Sequence, residues 1–237
     1  MGDARFIMLV FRRAEERDVA EIISFTRNTW EWGDYVPRVI GKWVEEGRAY
    51  VALMGDTVVA VAAMAIVGKA AYLQGLRVRP EYRGRGVGEA FTKFMIEEAK
   101  RRGAQVATLL VAEWNTPSHR LVQKVGFKER LKIYGGKAAG SGEGKCLGGL
   151  EAYEAVAEAL GMTRGYACLP DEPWVCTAVT PWDLLSRAAP CVSEGGLYVG
   201  KFSFGKAQGP PGADVTSLSP EGYAERYAAH ILYAIDL

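Results

Sequence analysis

Six consecutive residues, Arg83-Gly84-Arg85-Gly86-Val87-Gly88, carry the most specific chemical signal in this sequence. Glycines let successive backbone N–H groups converge, and the arginines add positive charge. A helix starting directly after the run would aim the positive end of its dipole at the same point. Such a cradle suits a phosphate or diphosphate. Two other phosphate loops are excluded by residue type. The P-loop needs Gly-Lys-Ser/Thr, and the dinucleotide fingerprint needs GxGxxG after the first strand of a parallel sheet; glycines at 84, 86 and 88 fit neither. The plain alternative, a surface turn, is weakened by the strand pattern before the run and the helical pattern after it.

Other residues able to do chemistry are fewer. Glu113 ends an apolar run and reads either as a base or as a solvated strand-end acid. Asn115 stands before Thr116-Pro117, where it can cap a helix, hold a ligand, or both. Asp34 and Gln74 are polar residues beside aromatic ones; Trp30, Trp32, Tyr35 and Trp43 read equally as a core patch or as pocket walls. Of the two histidines, His119 reads as an exposed helix residue and His230 as structural. Cys146, Cys168, Cys176 and Cys191 form no CxxC pair and have few histidines to join, so no metal site is expected; whether they pair with one another stays open.

Composition narrows the class. The 237 residues are 49% hydrophobic and 24% charged, as expected of a folded soluble chain. The longest apolar stretch, residues 57–67, is too short to span a bilayer, and no cleavage site follows the first apolar run, so a cytoplasmic protein with no membrane partner is expected. Residues 1–137 hold 23 Lys+Arg against 16 Asp+Glu, and residues 138–237 hold 6 against 12. The basic part suits an anionic ligand; without a basic stripe and aromatic platforms, nucleic acid is not expected.

The elements that must position these groups follow from periodicity and punctuation. A strand over residues 5–13 leads to a helix over 18–29 with Val19, Ile22, Ile23 and Phe25 on one face. A second helix carries Val39, Ile40, Trp43 and Val44 and stops at Gly47. Strands over 48–54 and 57–67 flank the Gly55-Asp56 turn, and a strand over 70–78 contains Gly75, which suggests a bulge or a close ligand. After the Gly/Arg loop come a helix ending near Gly103, a strand over 106–112, a helix opened by Asn115-Thr116-Pro117, and a strand from Gly126-Phe127. Residues 135–149 are so rich in glycine that they read as a linker, dividing a domain over 1–134 from an α+β domain over 150–237. In the latter, a helix over 150–160, a short helix opened by Thr180-Pro181 with Asp183 as capping acid, a strand over 197–204, and a helix from Ser219-Pro220 to the C-terminus are expected.

The run Leu76-Arg77-Val78-Arg79-Pro80-Glu81-Tyr82-Arg83-Gly84-Arg85-Gly86-Val87-Gly88 resembles the diphosphate loop of the GNAT acetyltransferases. The run Asn115-Thr116-Pro117-Ser118-His119-Arg120-Leu121-Val122-Gln123-Lys124-Val125-Gly126-Phe127 is similar to that family's second signature. The likeness covers residues 6–135. It implies an α/β (α+β) fold with a mixed, splayed central sheet flanked by helices, to which a smaller C-terminal α+β region is added. It also implies acetyl-CoA as donor: the strand end Leu76-Arg77-Val78 along the pantetheine arm, the backbone of Arg83, Gly84, Arg85, Gly86, Val87 and Gly88 on the diphosphate, and Asn115 and Ser118 on the arm. The acetyl group would pass directly to a primary amine in a ternary complex.

Two positions depart from the family pattern. The Tyr that often serves as general acid is Val122, and the strand Glu that some members use as base, five residues before the Asn, is Leu110. Glu113, Asp34 or Glu31 are left as candidate bases. A weaker likeness, in Asp34-Tyr35-Val36-Pro37, Trp43 and Gln74-Gly75-Leu76-Arg77-Val78, is to members that acetylate the α-amine of histidine; it implies an acceptor pocket lined by Tyr35, Gln74 and Asp34. A polyamine, a free amino acid or a peptide N-terminus all fit as acceptor. A non-catalytic acyl-CoA-binding module is the competing reading, and a homodimer is left open.

Overall fold

The computed structural model describes residues 9–140 and 144–237. The chain divides into two compact units, Met1–Ala65 with Leu73–Arg102, and Ile66–Tyr72 with Gly103–Leu237. The first comprises β1 (Leu9–Arg13), α1 (Glu16–Thr26), α2 (Val36–Glu45), β2 (Ala49–Met54), β3 (Thr57–Val67), β4 (Ala70–Val78) and α3 (Val87–Arg101), the unit division falling within β3 and β4. Its strands run in the order β1-β2-β3-β4. Gly55, at φ +61°, closes the β2–β3 turn, and Gly47, at φ +65°, ends α2 as its position in the sequence suggested. Residues 5–8 of the expected first strand lie outside the described residues.

Helix α1 is fixed by its first turn. Asp18 accepts the Glu15 N–H at 2.7 Å and both arms of the Arg12 guanidinium, at 2.6 and 2.9 Å. The Arg12 bond outweighs the cost of burial and holds the Asp18 carboxyl below its ordinary range. Ile22, Val36, Ile40, Trp43, Val51 and Val61 then form one apolar cluster. The helical spacing of Val36, Ile40 and Trp43 puts them on a single stripe.

The second unit contains β5 (Val106–Ala112), α4 (Thr116–Val125), β6 (Lys128–Ala138), β7 (Lys145–Cys146), α5 (Gly149–Met162), β8 (Tyr166–Cys168), β9 (Cys176–Ala178), α6 (Pro181–Leu185), β10 (Pro190–Ser193), β11 (Gly196–Val199), β12 (Phe202–Ser203), β13 (Asp214–Ser217), β14 (Tyr223–Arg226) and β15 (His230–Asp236). Strand order is β4-β5-β15-β6-β13-β12-β11-β10-β7, with β14 also on β6 and β8-β9 forming a separate hairpin. The parallel β4–β5 ladder joins Ala70–Tyr72 to Val106–Thr108. The sheet is mixed and flanked by helices, as expected.

Three expectations change. The expected C-terminal helix is strand: β15 inserts between β5 and β6, antiparallel to both. Seven residues with Leu232, Tyr233 and Ala234 buried make too short an apolar run to distinguish helix from strand by pattern, and the two neighbouring strands decide it. The expected linker over 135–149 begins as strand, because β6 continues through Ala138. Its glycines serve close approach: a Cβ on Gly135 would overlap the Trp174 ring, and one on Gly136 would overlap the Glu225 carbonyl. Residues 141–143 of that stretch lie outside the described residues. Third, the region over 150–237 does not stand apart from what precedes it, since β13, β14 and β15 all pair with β6.

The four cysteines pair: Cys146 with Cys191 and Cys168 with Cys176. Each pair sits directly opposite in an antiparallel ladder, β7 against β10 and β8 against β9. The capping box at Thr180 and Asp183 is present as expected.

Candidate functional site

The Gly/Arg loop is built from the end of β4 onward. Arg79 anchors the strand end, its backbone N–H donating to Val59 at 2.8 Å, its Nε to the Val58 carbonyl at 3.0 Å and its guanidinium pairing with Glu21 at 2.5 Å. A 3₁₀ turn over Pro80–Tyr82 follows. Gly84 and Gly86 then take φ of +71° and +80°, with open space where a Cβ would stand, so backbone conformation and not crowding requires glycine there. Helix α3 begins at Val87 on an N-cap with no side-chain bond. Its ladder starts with Ala90 donating to Gly86, which leaves the N–H groups of Val87 and Gly88 outside it. Arg83 Nε donates to the Val78 carbonyl at 3.0 Å, and the Arg85 guanidinium lies over Tyr82. Residues 83–86 are exposed. Uncapped N–H groups, a helix dipole and two arginines fit a diphosphate by charge and donor type.

In the same unit, β4 and α2 bring Asp34, Tyr35, Trp43, Gly75 and Arg77 together. The Asp34 carboxylate is fully buried; it accepts Arg77 Nε at 2.6 Å, Arg77 NH2 at 3.1 Å and the Val36 N–H at 3.1 Å. Burial alone would raise its pKa, but the Arg77 fork, the Thr29 hydroxyl and the Val36 N–H prevail and hold it below the usual range. In this arrangement the Asp34 oxygens are engaged by Arg77, Thr29 and Val36. Arg77 spends its remaining arm on the Leu76 carbonyl at 3.0 Å and lies over the Trp30 and Tyr35 rings. Burial pushes the Tyr35 phenol up, although the residue as a whole is 38% exposed. Gly75 has φ +67°, and a Cβ there would stand 2.8 Å from the Trp43 ring. The glycine suspected of facing a ligand faces a tryptophan. Gln74, half-buried on β4, points to the face opposite Gly75.

The second unit holds Glu113, Asn115 and Ser118. Asn115 caps α4, its Oδ1 accepting the Ser118 N–H at 3.3 Å, so the capping reading is realised. Glu113 pairs with Lys132 at 2.6 Å, and that bond keeps its carboxyl below the usual range. Sequence reading misses a cluster behind α4. The His119 ring, which reads as merely exposed, meets the Tyr233 hydroxyl at 2.8 Å and the Ala112 carbonyl at 3.1 Å, while Tyr233 donates to Glu129 at 2.9 Å. Burial and Glu129 push the Tyr233 phenol up to about 12. Only the placement of His119 four residues after Asn115, on the same helix face, hints at it. His230 lies mostly buried beside the Ala228 carbonyl, and its Nδ1 has no hydrogen-bond partner among the described residues.

Residues 17–127 match the model of the acetyltransferase (GNAT) family. Over 112 residues the chain is 32% identical to the histidine N-acetyltransferase of Xenopus tropicalis, covering 46% of this chain and 33% of that protein. Over 68 residues it is 32% identical to the thialysine N-epsilon-acetyltransferase of Bos taurus, covering 29% of this chain and 40% of that one. The chain thus spans between a third and two fifths of the length of these curated relatives. A GCN5-related N-acetyltransferase structure from Kribbella flavida superposes with a TM-score of 0.53 at 16% identity, covering 100% of this chain and 73% of that one. An inferred acetyltransferase from Thermoplasma acidophilum gives 0.56 at 21% identity, covering 96% and 100%. At these identities the structural likeness is one of fold.

Proposed function

From the match of residues 17–127 to the model of the acetyltransferase (GNAT) family we propose that this protein transfers an acetyl group from acetyl-CoA directly to a primary amine. The observation that carries the reading is the loop before α3. Gly84 and Gly86 are in the left-handed conformation, and the N–H groups of Val87 and Gly88 in the first helical turn stand outside the helix ladder. Acetyl-CoA brings an activated thioester and a diphosphate. The backbone of Arg83–Gly88 would hold the diphosphate, with Leu76, Arg77 and Val78 offering strand-edge backbone to the arm. Asn115 keeps its side-chain amide N–H groups for a ligand even while its oxygen caps α4.

Direct transfer is favoured over an acetyl-cysteine relay because all four cysteines are tied up as cystines and lie beyond residue 145. The acceptor is a small amine or a peptide N-terminus. A free amino acid is favoured, because one similar protein is named for acetylating histidine and another for acetylating thialysine.

The test is thiol release from acetyl-CoA against free amino acids, polyamines and short peptides. Release with one amine class, lost in Gly86→Val, supports the transferase. Binding of acetyl-CoA without release for any amine would favour a non-catalytic acyl-CoA-binding module, a reading prompted by Val122 and Leu110 at positions where the family resemblance implies an acid in many members and a base in some.

A further inference from the structure

We propose that the Tyr35 hydroxyl donates a hydrogen bond to the thioester carbonyl oxygen and stabilises the negative charge that grows there during transfer; this rests on the acetyltransferase reading above. Tyr35, the strand end Leu76–Val78 and the Gly/Arg loop all lie in the first compact unit. In that unit β4 is the last strand, and its ladder to β5 covers only Ala70–Tyr72. The end of β4 therefore has an open edge. Successive residues of a strand direct their backbone groups to opposite edges. Arg79 sends its N–H to Val59 of β3, so Leu76 and Val78 direct theirs to the open side. The carbonyls of these two residues are met there by arginine side chains and not by a strand: Arg77 donates to Leu76 at 3.0 Å, and Arg83 to Val78 at 3.0 Å. An arm that starts at the Gly/Arg loop and runs back along this edge passes Val78 before Leu76. Its thioester is carried toward Gly75, about 10 Å from Val78 at strand spacing.

Tyr35 stands at that point. Its Oη lies 3.6 Å from where a Cβ of Gly75 would be, and the Gly75 N–H is directed at it. A hydroxyl that accepts an N–H keeps its own proton for another acceptor. The phenol is held on two sides. The Trp43 ring meets it edge-on, with centroids 6.0 Å apart, and the Arg77 guanidinium lies over it at 5.5 Å. Asp34 fixes that guanidinium through Nε and Nη2, while Nη1 reaches the Leu76 carbonyl. One arginine thus connects the phenol to the open edge of β4.

These surroundings suit a donor that keeps its proton. Burial raises the phenol above its ordinary value; the Arg77 charge and the Gly75 N–H oppose this, and the Asp34 charge adds to it. A phenol held above about 10 stays neutral at physiological pH and does not readily surrender its proton to a thiolate of ordinary basicity, near 8.5. A neutral O–H fixed in place beforehand stabilises a developing oxyanion without reorganisation.

The step balances as follows. An ammonium loses one proton to solvent. Its nitrogen forms a bond to the thioester carbon, and the carbonyl π pair moves onto oxygen, where the Tyr35 O–H donates without transferring its proton. The pair returns as the C–S bond breaks, and the nitrogen's second proton ends on the departing sulfur. Amide, free thiol and one proton are the products.

The experiment uses Tyr35→Phe, which keeps the ring and removes the hydroxyl. With acetyl-CoA bound and no amine present, the infrared band of the thioester carbonyl, isotopically labelled at that carbon, should lie at higher frequency in Y35F than in the unmodified protein. With the amine that supports thiol release, Y35F should lose about 10²–10³-fold in kcat. Acetyl-CoA affinity by calorimetry, the KM of the amine and the shape of the pH profile should not change. An identical carbonyl band in both proteins, a kcat that does not fall, or a fall in acetyl-CoA affinity that matches the fall in rate would overturn the assignment while leaving the acetyltransferase reading intact. Absence of thiol release by the unmodified protein with every amine would instead overturn that reading, and this inference with it.

Discussion

Gly75→Ala separates a structural glycine from a ligand-facing one. At φ +67° any L side chain is strained by about 1–2 kcal/mol. The added methyl carbon would also stand 2.8 and 2.9 Å from two carbons of the Trp43 ring. Trp43 is 7% exposed and packed among Ile22, Val36 and Ile40, with Tyr35 at its edge, so the ring has nowhere to swing. Over-packing of this kind costs about 1–3 kcal/mol. The two effects together give about 2–5 kcal/mol, which at a urea m value of about 2 kcal/mol/M lowers the unfolding midpoint by about 1–2.5 M. Urea unfolding followed by tryptophan fluorescence and by circular dichroism measures it, and a double-mutant cycle with Trp43→Leu isolates the steric part. With the smaller side chain in place of Trp43, the over-packing share should vanish and the backbone share remain. A loss under about 1 kcal/mol, or the same loss in both backgrounds, would refute the account of why glycine stands in the middle of β4.

Three more outcomes are expected. Asp34→Asn leaves Arg77 without an ionised partner and should cost about 3 kcal/mol, the low end for a broken buried pair because the Arg77 side chain keeps 16% exposure. Since the folded pKa of Asp34 lies below its unfolded value, the aspartate's contribution is present above pH about 4 and lost as pH falls through the folded value, so the wild-type advantage in urea midpoint should shrink as pH falls below about 4. Gly86→Val, at φ +80°, should cost about 1–2 kcal/mol of stability and lower acetyl-CoA affinity at least tenfold by calorimetry; unchanged affinity would remove the loop from the donor site. Replacing Cys146 and Cys191 by Ser should destabilise by about 4 kcal/mol and replacing Cys168 and Cys176 by about 2.5, because the first pair closes a loop of 45 residues and the second one of 8; equal urea midpoints would contradict the loop-entropy account.

Features that depend on a few neighbouring residues were legible in the sequence. The Gly84/Gly86 loop, the strand Val106–Ala112, the Gly55 turn and the Thr180–Asp183 cap all came out where their residue types put them. In each, the deciding energy is local: backbone conformation, a cap, or the alternation of one strand. What tertiary structure decided involves partners far along the chain. His119 finds Tyr233 114 residues away, Asp34 finds Arg77 43 residues away, and the Gly75 space is filled by Trp43. Polar groups such as Asp34 and His119 look like free reagents in a sequence because nothing local says whether their lone pairs are already taken. The largest difference has the same origin. His230–Asp236 is strand because β5 and β6 each offer a hydrogen-bonding edge.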